Sequence, residues 1–210
     1  MKAYGPADFE HEFRVPRETM LRIEAFDRAF MRTAATMNLV ARSTLDERWE
    51  RHFRDSAQLA NFAPVNARSL VDLGSGAGFP GLILAALLAP RGVTTTLVES
   101  TGKKAAFLKS AAEEMALSSV SIIAGRIESI VPAPADIITA RALASLPTLL
   151  GYAAPFVTGK TVCIFPKGQD VEEELTEATK SWRMAVESRE SLTRSGSQIL
   201  IVRDLARKSG

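Results

Sequence analysis

The most informative part of the sequence reads Asp72-Leu73-Gly74-Ser75-Gly76-Ala77-Gly78-Phe79-Pro80-Gly81. It follows a short apolar segment, residues 69–73, that predicts a buried strand. It precedes an apolar run, residues 81–89, that predicts a buried helix. Three glycines at alternate positions exceed what a tight turn requires. Glycines at a strand-to-helix turn let the backbone approach a ligand without obstruction by Cβ atoms, so the stretch predicts a ligand-binding turn.

Strand and helix patterns alternate along the chain beyond this turn. Two final strands flank residues 193–196, where Gly196 suits a tight hairpin. Right-handed crossovers between alternating elements predict an α/β fold: a doubly wound, mostly parallel sheet covered on both faces, with an antiparallel hairpin at one edge. The further predicted strands are residues 94–99, 120–124, 137–139, 161–165, 185–192 and 198–204, and the further predicted helices are residues 103–115, 146–154 and 170–182.

The first part of the chain, residues 1–66, has a different pattern. Apolar residues at three- and four-residue steps predict one helix over residues 17–37 and another over residues 44–62. Neither helix can bury its apolar stripe alone. We therefore expect a helical N-terminal extension that packs on a ligand-binding domain formed by residues 67–210.

Composition excludes several classes of protein. The chain has 210 residues, of which 46% are hydrophobic, and this is enough to bury the core of one domain. Its one cysteine, Cys163, excludes a disulfide-rich scaffold and a four-thiolate zinc site within one chain. The two histidines, His11 and His52, argue against a multi-histidine metal site, so we expect no metal.

The charge is also balanced along the chain. The formal net charge is +2, from 26 basic and 24 acidic residues, which predicts that any RNA is bound through local patches rather than a basic tail. No apolar run reaches the ~18 residues of a membrane span, and the N-terminal residues lack the apolar core of a signal peptide. We expect a cytoplasmic protein, and a monomer because no predicted helix demands a partner.

Two carboxylates indicate the ligand. The dinucleotide pattern G-x-G-x-x-G fits from Gly76 to Gly81, but Asp72 would repel a pyrophosphate and suits a cationic group such as an α-amino group. This disfavours a nicotinamide oxidoreductase. Glu99, at the end of the second strand, can accept hydrogen bonds from both ribose hydroxyls. An adenosine with an unphosphorylated ribose and a cationic tail describes S-adenosylmethionine, whose sulfonium centre makes methyl transfer the natural reaction.

Residues 69–100 resemble the class I S-adenosylmethionine-dependent methyltransferases. The chain resembles one family more closely: the bacterial small-subunit (16S) ribosomal RNA guanine-N7 methyltransferases, also called glucose-inhibited division protein B. The most specific matches are the Gly-Phe-Pro-Gly end of the glycine-rich stretch and the Arg-His-Phe-x-Asp-Ser pattern at residues 51–56. The other matches are Asn38-Leu39-Val40, Leu97 to Ser100, Lys103 to Leu108, Gly125 to Glu128, Ile138 to Ala142 and Phe165 to Gly168.

The resemblance implies a Rossmann-like fold of seven strands with a helical N-terminal extension. It also implies methyl transfer to a guanine of 16S rRNA, free or within the small ribosomal subunit. Gly74 and Phe79 would border the cofactor, Ile127 and Glu128 would flank its adenine, and Arg141 would lie beside the methyl donor as a candidate for positioning. The predicted cofactor-binding residues are thus Asp72, Gly74, Gly76, Gly78, Phe79, Glu99, Ile127, Glu128 and Arg141.

Guanine N7 as the acceptor fits the chemistry of the sequence. N7 carries a lone pair and no proton in its reactive form, so its attack needs no general base, and no residue is identified as a certain catalytic group. Methylation of cytosine C5 would need a cysteine nucleophile, whereas Cys163 lies in an apolar strand. Methylation of exocyclic amino groups commonly uses an Asn/Asp-Pro-Pro-aromatic turn, and the corresponding residues 139–142 read Thr-Ala-Arg-Ala.

RNA contacts are expected from dispersed cations. Arginine and lysine contact phosphates, and arginine stacks on exposed bases. Arg51 has an alternative role, an ion pair with Asp55 four residues on. The predicted RNA-binding residues are Arg51, His52, Arg126 and Lys167.

Two alternative functions remain open at this point. An S-adenosylmethionine-dependent methyltransferase of a small molecule would carry the same glycine-rich turn. A catalytically silent RNA-binding factor in ribosome assembly would share the fold but would not bind the cofactor.

Overall fold

The computed structural model describes residues 3–208, and a seven-stranded sheet forms the centre of the fold. The strand order is β3-β2-β1-β4-β5-β7-β6. The first five strands are parallel, and β7 pairs antiparallel with both β5 and β6 at one edge. This confirms the predicted doubly wound sheet with its antiparallel pair. The strands are β1 (Ser69–Leu73), β2 (Thr94–Glu99), β3 (Val120–Ala124), β4 (Ile137–Thr139), β5 (Val162–Lys167), β6 (Trp182–Glu190) and β7 (Gln198–Arg207).

Helices cover both faces of the sheet. Alternate residues of each strand point to opposite faces. Leu97 of β2 therefore packs on the same face as Leu82 of α4, while Val98 joins the cluster that α6 and α7 cover. The helices are α1 (Pro6–Phe13), α2 (Arg17–Ala34), α3 (Asp55–Ala57), α4 (Gly81–Leu88), α5 (Gly102–Glu114), α6 (Leu146–Ala153) and α7 (Val171–Ser181).

The N-terminal extension packs on the face that carries α4 and α5. Phe26 and Phe30 of α2 are fully buried and contact Phe79, which lies just before α4. Helix α1 was not among the predicted helices, although Pro6 at its first position and the capping bond from the Gly5 N–H to Asp8 are helix-start signals. No helix in residues 3–208 is long and apolar enough to cross a membrane.

The prediction of one helix over residues 44–62 is wrong in detail. A short 3-10 turn, Arg42–Thr44, comes first, and a helical segment over residues 49–62 follows. That segment, called segment 49–62 below, consists of the π-helical turn Trp49–Arg54, then α3, then the 3-10 turn Gln58–Phe62. The wider π turn lets Trp49, His52 and Phe53 all face the core, and such turns are frequent at functional sites.

The C-terminal hairpin also differs from the prediction. β6 begins at Trp182, within the predicted helix, because the indole is buried against the cluster under α6 and α7. β6 ends at Glu190 and β7 begins at Gln198, so residues 191–197 form a loop longer than the predicted turn at residues 193–196. This loop, called loop 191–197 below, reaches back across the carboxyl edge of the sheet.

Candidate functional site

The carboxyl ends of β1, β2, β4 and β5 border an open cavity of about 860 Å³. In open α/β sheets this edge is where ligands bind. One set of lining residues, the glycine wall, consists of residues 74–77, Phe79 and Glu99. A second set of lining residues, the composite wall, consists of Arg51, His52, Asp55, Arg141 and loop 191–197, and it meets the glycine wall where Arg141 lies over the Phe79 ring.

The turn after β1 is shaped by its glycines. Gly74, Gly76 and Gly78 have φ angles of 68°, 55° and 89°, a region that residues with side chains rarely adopt. At Gly74 space is also restricted, since an added Cβ would lie 2.6 Å from Cδ1 of Leu143. Gly74 and Gly76 line the cavity, whereas Gly78 faces the core, where a Cβ would meet Leu82.

Glu99 fixes the glycine wall to β2. Its Oε2 accepts a hydrogen bond from the Gly76 N–H at 2.8 Å, and its Oε1 accepts one from the Thr101 N–H at 2.7 Å. The side chain is only 6% exposed, yet it lines the cavity. A carboxylate accepts about four hydrogen bonds, so two lone-pair positions remain for a ligand.

Asp72 lies behind the glycine wall rather than in it. It is fully buried and is not among the cavity-lining residues. Its Oδ1 accepts a hydrogen bond from the Thr139 hydroxyl at 2.7 Å, and its Oδ2 has no hydrogen-bond partner within residues 3–208. Burial raises the pKa of Asp72 to about 6, against the opposing effects of the Thr139 hydroxyl and the Arg141 charge. The predicted direct contact between Asp72 and a cationic ligand does not fit this placement.

Arg141 is the centre of the composite wall. Its Nη1 donates to Asp55 Oδ2 at 3.1 Å and to the Arg51 carbonyl at 3.3 Å. Its guanidinium lies 5.4 Å from the centre of the Phe79 ring, within cation–π range. Phe79 itself is buried among the phenylalanines of the N-terminal extension, so it supports Arg141 and also lines the cavity.

His52 lies behind Arg141 and is buried, with 8% of its surface exposed. Arg141 Nη1 lies 3.4 Å from its Nδ1, so the proton belongs on Nε2, which lies 2.8 Å from the Thr44 hydroxyl. Burial, together with the charges of Arg141 and Arg51, lowers the pKa of His52 to about 3. His52 is therefore neutral at pH 7, and this does not fit a role as a cation for RNA.

Sequence comparison identifies the family. Residues 20–202 match the family described as rRNA small subunit methyltransferase G. The chain belongs to this family. It is 45% identical over 97% of its length to ribosomal RNA small subunit methyltransferase G of Rhodospirillum centenum, covering 93% of that protein. It is 42% identical to the protein of the same name from Paramagnetospirillum magneticum, covering 97% of each chain. The resemblance found from the sequence motifs is confirmed.

The fold is also found in solved methyltransferase structures. An O-methyltransferase from Bacillus cereus, described in complex with S-adenosylhomocysteine, superposes with a TM-score of 0.59 at 17% identity and covers 86% of this chain and 91% of that chain. At this identity the likeness shows the fold alone. Together with family membership, it confirms the predicted class I methyltransferase architecture.

The predicted RNA-binding residues of this methyltransferase occupy different environments. Arg51 is 45% exposed at the side chain and lies 3.6 Å from Glu47, so the alternative pair with Asp55 is wrong. Lys167 is instead almost buried, where its Nζ contacts Glu174 at 2.6 Å and the Ala144 carbonyl at 3.1 Å. Lys167 thereby joins the end of β5 to α7 and to the chain after β4.

Three other predicted residues lie outside the cavity lining. Arg126 is 74% exposed at the side chain and pairs with Glu128 at 3.2 Å. Ile127 packs against the cluster under α6 and α7. All three follow β3, and the Gly125 N–H donates to the Glu99 carbonyl at 3.0 Å, so this segment adjoins the glycine wall without lining the cavity.

Sequence reasoning missed the part played by Asp55 and by Thr193 and Arg194, which line the cavity. Asp55 lies within the Arg-His-Phe-x-Asp-Ser pattern, and this position was the available signal. Thr193 and Arg194 carried no signal in the sequence, because the pairing of β7 with β5 in the folded sheet is what brings their loop to the cavity.

Two other kinds of chemistry find no support at this site. Burial raises the pKa of Cys163 to about 12, which argues against its use as a nucleophile. Residues 3–208 contain no cluster suited to a metal ion.

Proposed function

We propose that this methyltransferase transfers the methyl group of S-adenosylmethionine to N7 of a guanine in 16S rRNA, by direct attack of the ring nitrogen. The observation that carries the proposal is the match of residues 20–202 to the rRNA small subunit methyltransferase G family. The cavity at the carboxyl edge supports it, because about 860 Å³ between the two walls offers room for a nucleoside cofactor and a flipped base.

The glycine wall fits the cofactor. Glu99 would accept hydrogen bonds from the ribose hydroxyls with the lone pairs that Gly76 and Thr101 leave free. Asp72 would act from behind the turn, since a cationic ligand nearby favours the charged form of its unpartnered carboxylate. Ile127 and Glu128, which follow β3, would meet the adenine edge. The bound cofactor supplies a methyl group activated by its sulfonium.

The composite wall supports a reaction without a general base. His52 has a pKa of about 3 and both ring nitrogens in use. Asp55 is paired with Arg141, and Glu99 is engaged by two backbone N–H groups. Attack by N7 does not require a base to remove a proton. Correct positioning of the two reactants can therefore supply the rate enhancement, and it can lower the activation barrier by at most about 7–11 kcal/mol. Arg141 would position the base and exclude water from it.

RNA binding would use the exposed cations. We assign phosphate contacts to Arg51 and Arg126, whose side chains are 45% and 74% exposed. Lys167 and His52 would act indirectly, because each is engaged by partners within the protein. In this proposal Lys167 holds the segment after β4, and His52 holds Arg141.

The N-terminal extension, residues 1–66, is proposed to be part of the catalytic unit rather than an independent domain. Phe26 and Phe53 pack against Phe79 of the glycine wall. The monomeric state and the cytoplasmic location remain predictions, and analytical ultracentrifugation of the purified chain tests the first of them.

The test is transfer of labelled methyl groups to small-subunit RNA from cells that lack this enzyme. We expect the label to co-migrate with 7-methylguanosine after digestion, and chemical scission at the methylated base to map one position. Glu99→Ala serves as the matched control with weakened cofactor binding. Naked RNA and assembled subunits are assayed in parallel.

Two other outcomes would overturn the proposal. Label in a metabolite extract, with unlabelled RNA, would indicate a methyltransferase of a small molecule. Absence of cofactor binding by calorimetry would indicate a silent RNA-binding assembly factor.

A further inference from the structure

Segment 49–62 holds loop 191–197 over the cavity. Three side chains of the segment, from Arg54, Asp55 and Gln58, bond to three consecutive residues of the loop, although the two parts are more than 130 positions apart in the sequence. The four bonds are Gln58 Nε2 to Ser191 Oγ at 3.2 Å, Leu192 N to Gln58 Oε1 at 2.9 Å, Arg54 Nη1 to Leu192 O at 3.1 Å, and Thr193 Oγ1 to Asp55 Oδ1 at 2.7 Å.

Asp55 occupies the centre of this arrangement. Its Oδ1 accepts from the Thr193 hydroxyl, and its Oδ2 accepts from Arg141 Nη1. Gln58 Nε2 also donates to Oδ1, at 3.0 Å. The Asp55 and Arg141 side chains are 17% and 18% exposed, so this pair is shielded from solvent more than a surface ion pair. One carboxylate thus joins the end of β4 to the C-terminal hairpin.

We propose that Asp55 is a positioning residue that couples Arg141 to loop 191–197, so that the loop forms the acceptor side of the active site. This rests on the proposed function. The loop bonded to Asp55 places Arg194 on the rim of the cavity, and among residues 3–208 no ion pair engages that guanidinium. A free guanidinium on the rim is suited to a phosphate of the strand that delivers the guanine.

The Asp55–Thr193 bond has a specific consequence for kinetics. Loss of the Thr193 hydroxyl removes the one of the four bonds that lies next to Arg194, and it leaves Asp55 paired with Arg141. The proposed cofactor site is the glycine wall, and none of the four bonds of the loop involves a residue of that wall. The bond therefore affects recognition of RNA rather than binding of the cofactor.

The first experiment compares Thr193→Val with Thr193→Ser in steady-state methylation of small-subunit RNA. We expect Thr193→Val to raise KM for RNA about tenfold, with kcat within twofold and with unchanged cofactor affinity and melting temperature. Thr193→Ser restores the hydroxyl and should return KM to the wild-type value. The matched control is Thr176→Val, which removes a hydroxyl that bonds within α7, outside the cavity lining.

A double-mutant cycle tests the coupling itself. If Thr193 acts through Asp55, then Thr193→Val added to Asp55→Ala changes KM by less than twofold, because the bond is already lost. Thr193→Val added to Arg194→Gln should likewise raise KM for RNA by less than Thr193→Val does in the wild-type background, because the loop contacts RNA through the Arg194 guanidinium.

Three results would overturn the inference. They are an unchanged KM in Thr193→Val, multiplicative effects in the cycle with Asp55→Ala, and a loss of stability or cofactor affinity that Thr193→Ser does not restore. Each is distinct from failure of the proposed function, in which the wild-type enzyme does not methylate the RNA at all.

Discussion

The two walls of the cavity are built in different ways. The glycine wall comes from neighbouring strands, and its central bond, from the Gly76 N–H to Glu99, spans 23 positions of the sequence. The composite wall joins three distant parts of the chain. Its central residue, Asp55, bonds to Arg141 and Thr193, which lie 86 and 138 positions away.

This difference separates two tasks of the enzyme. The glycine wall depends on backbone conformation, so a change there should alter local stability and the affinity for the cofactor. The composite wall depends on side chains brought together by the finished sheet, so a change there should alter recognition of RNA. The four predictions that follow test this separation, beginning with the largest effect.

Gly74→Ala should be the most damaging change to the glycine wall. An alanine at φ 68° is strained, and its Cβ would lie 2.6 Å from Leu143. We expect a loss of about 2–5 kcal/mol in the free energy of unfolding, measured by urea denaturation. The double variant Gly74→Ala/Leu143→Ala removes the clash and leaves the backbone strain. If Leu143→Ala brings no relief, close packing does not explain the glycine.

Asp72 should make the stability of the ligand-free enzyme depend on pH. Its folded pKa of about 6 lies above the ordinary value of 3.8, so the folded state keeps a proton that the unfolded state releases. The contribution of Asp72 is complete below about pH 4 and is lost as the pH rises to about 6, a change of roughly 3 kcal/mol. The measurement is the difference in unfolding free energy between wild type and Asp72→Asn from pH 4 to 7. A difference that stays constant over this range would contradict the burial argument.

Glu99→Ala should weaken cofactor binding more than any change in the composite wall. It removes one to two charge-assisted hydrogen bonds to the ribose, and we expect a loss of about 1.5–3 kcal/mol in calorimetric titration with S-adenosylmethionine. Thr193→Val is the control, because it alters the composite wall and should leave this affinity unchanged. Equal losses in both variants would show that the two walls do not act separately.

Arg126→Ala should have the smallest effect on the folded protein. Its exposed pair with Glu128 adds little stability, so the melting temperature should not change. If Arg126 contacts a phosphate, the slope of log affinity for RNA against log salt should fall by about 0.7–0.9. Lys167→Ala provides the contrast, because it leaves Glu174 without its buried partner and should lower the melting temperature. The reverse pattern would mean that exposure does not identify the RNA contacts.

The glycine wall could be predicted from sequence because its signals are local. The strand before Gly74, the glycine spacing and the position of Glu99 at the end of β2 are all as expected. The sequence also predicted that Asp72 contacts the ligand directly, but its side chain is buried behind the turn. Strand alternation tells which face of the sheet a side chain joins, and it does not tell whether that side chain reaches the cavity.

The composite wall could not be predicted in the same way. The π turn at Trp49–Arg54 leaves no periodicity that distinguishes it from an ordinary helix. Lys167 was predicted to bind RNA because its ion-pair partner, Glu174, lies on another element of the fold and could not be paired with it from the sequence. The burial of His52 depends in the same way on a distant element, since Phe30 of α2 packs against its ring. Contacts between distant elements therefore decided which cations remain exposed.

The most direct test of the account is a crystal structure of the enzyme with S-adenosylhomocysteine. We expect density along residues 74–79, with both ribose hydroxyls within hydrogen-bond distance of Glu99 and the sulfur facing Arg141. Density for the nucleoside against loop 191–197, or a ribose that Glu99 does not touch, would contradict the assignment of the two walls.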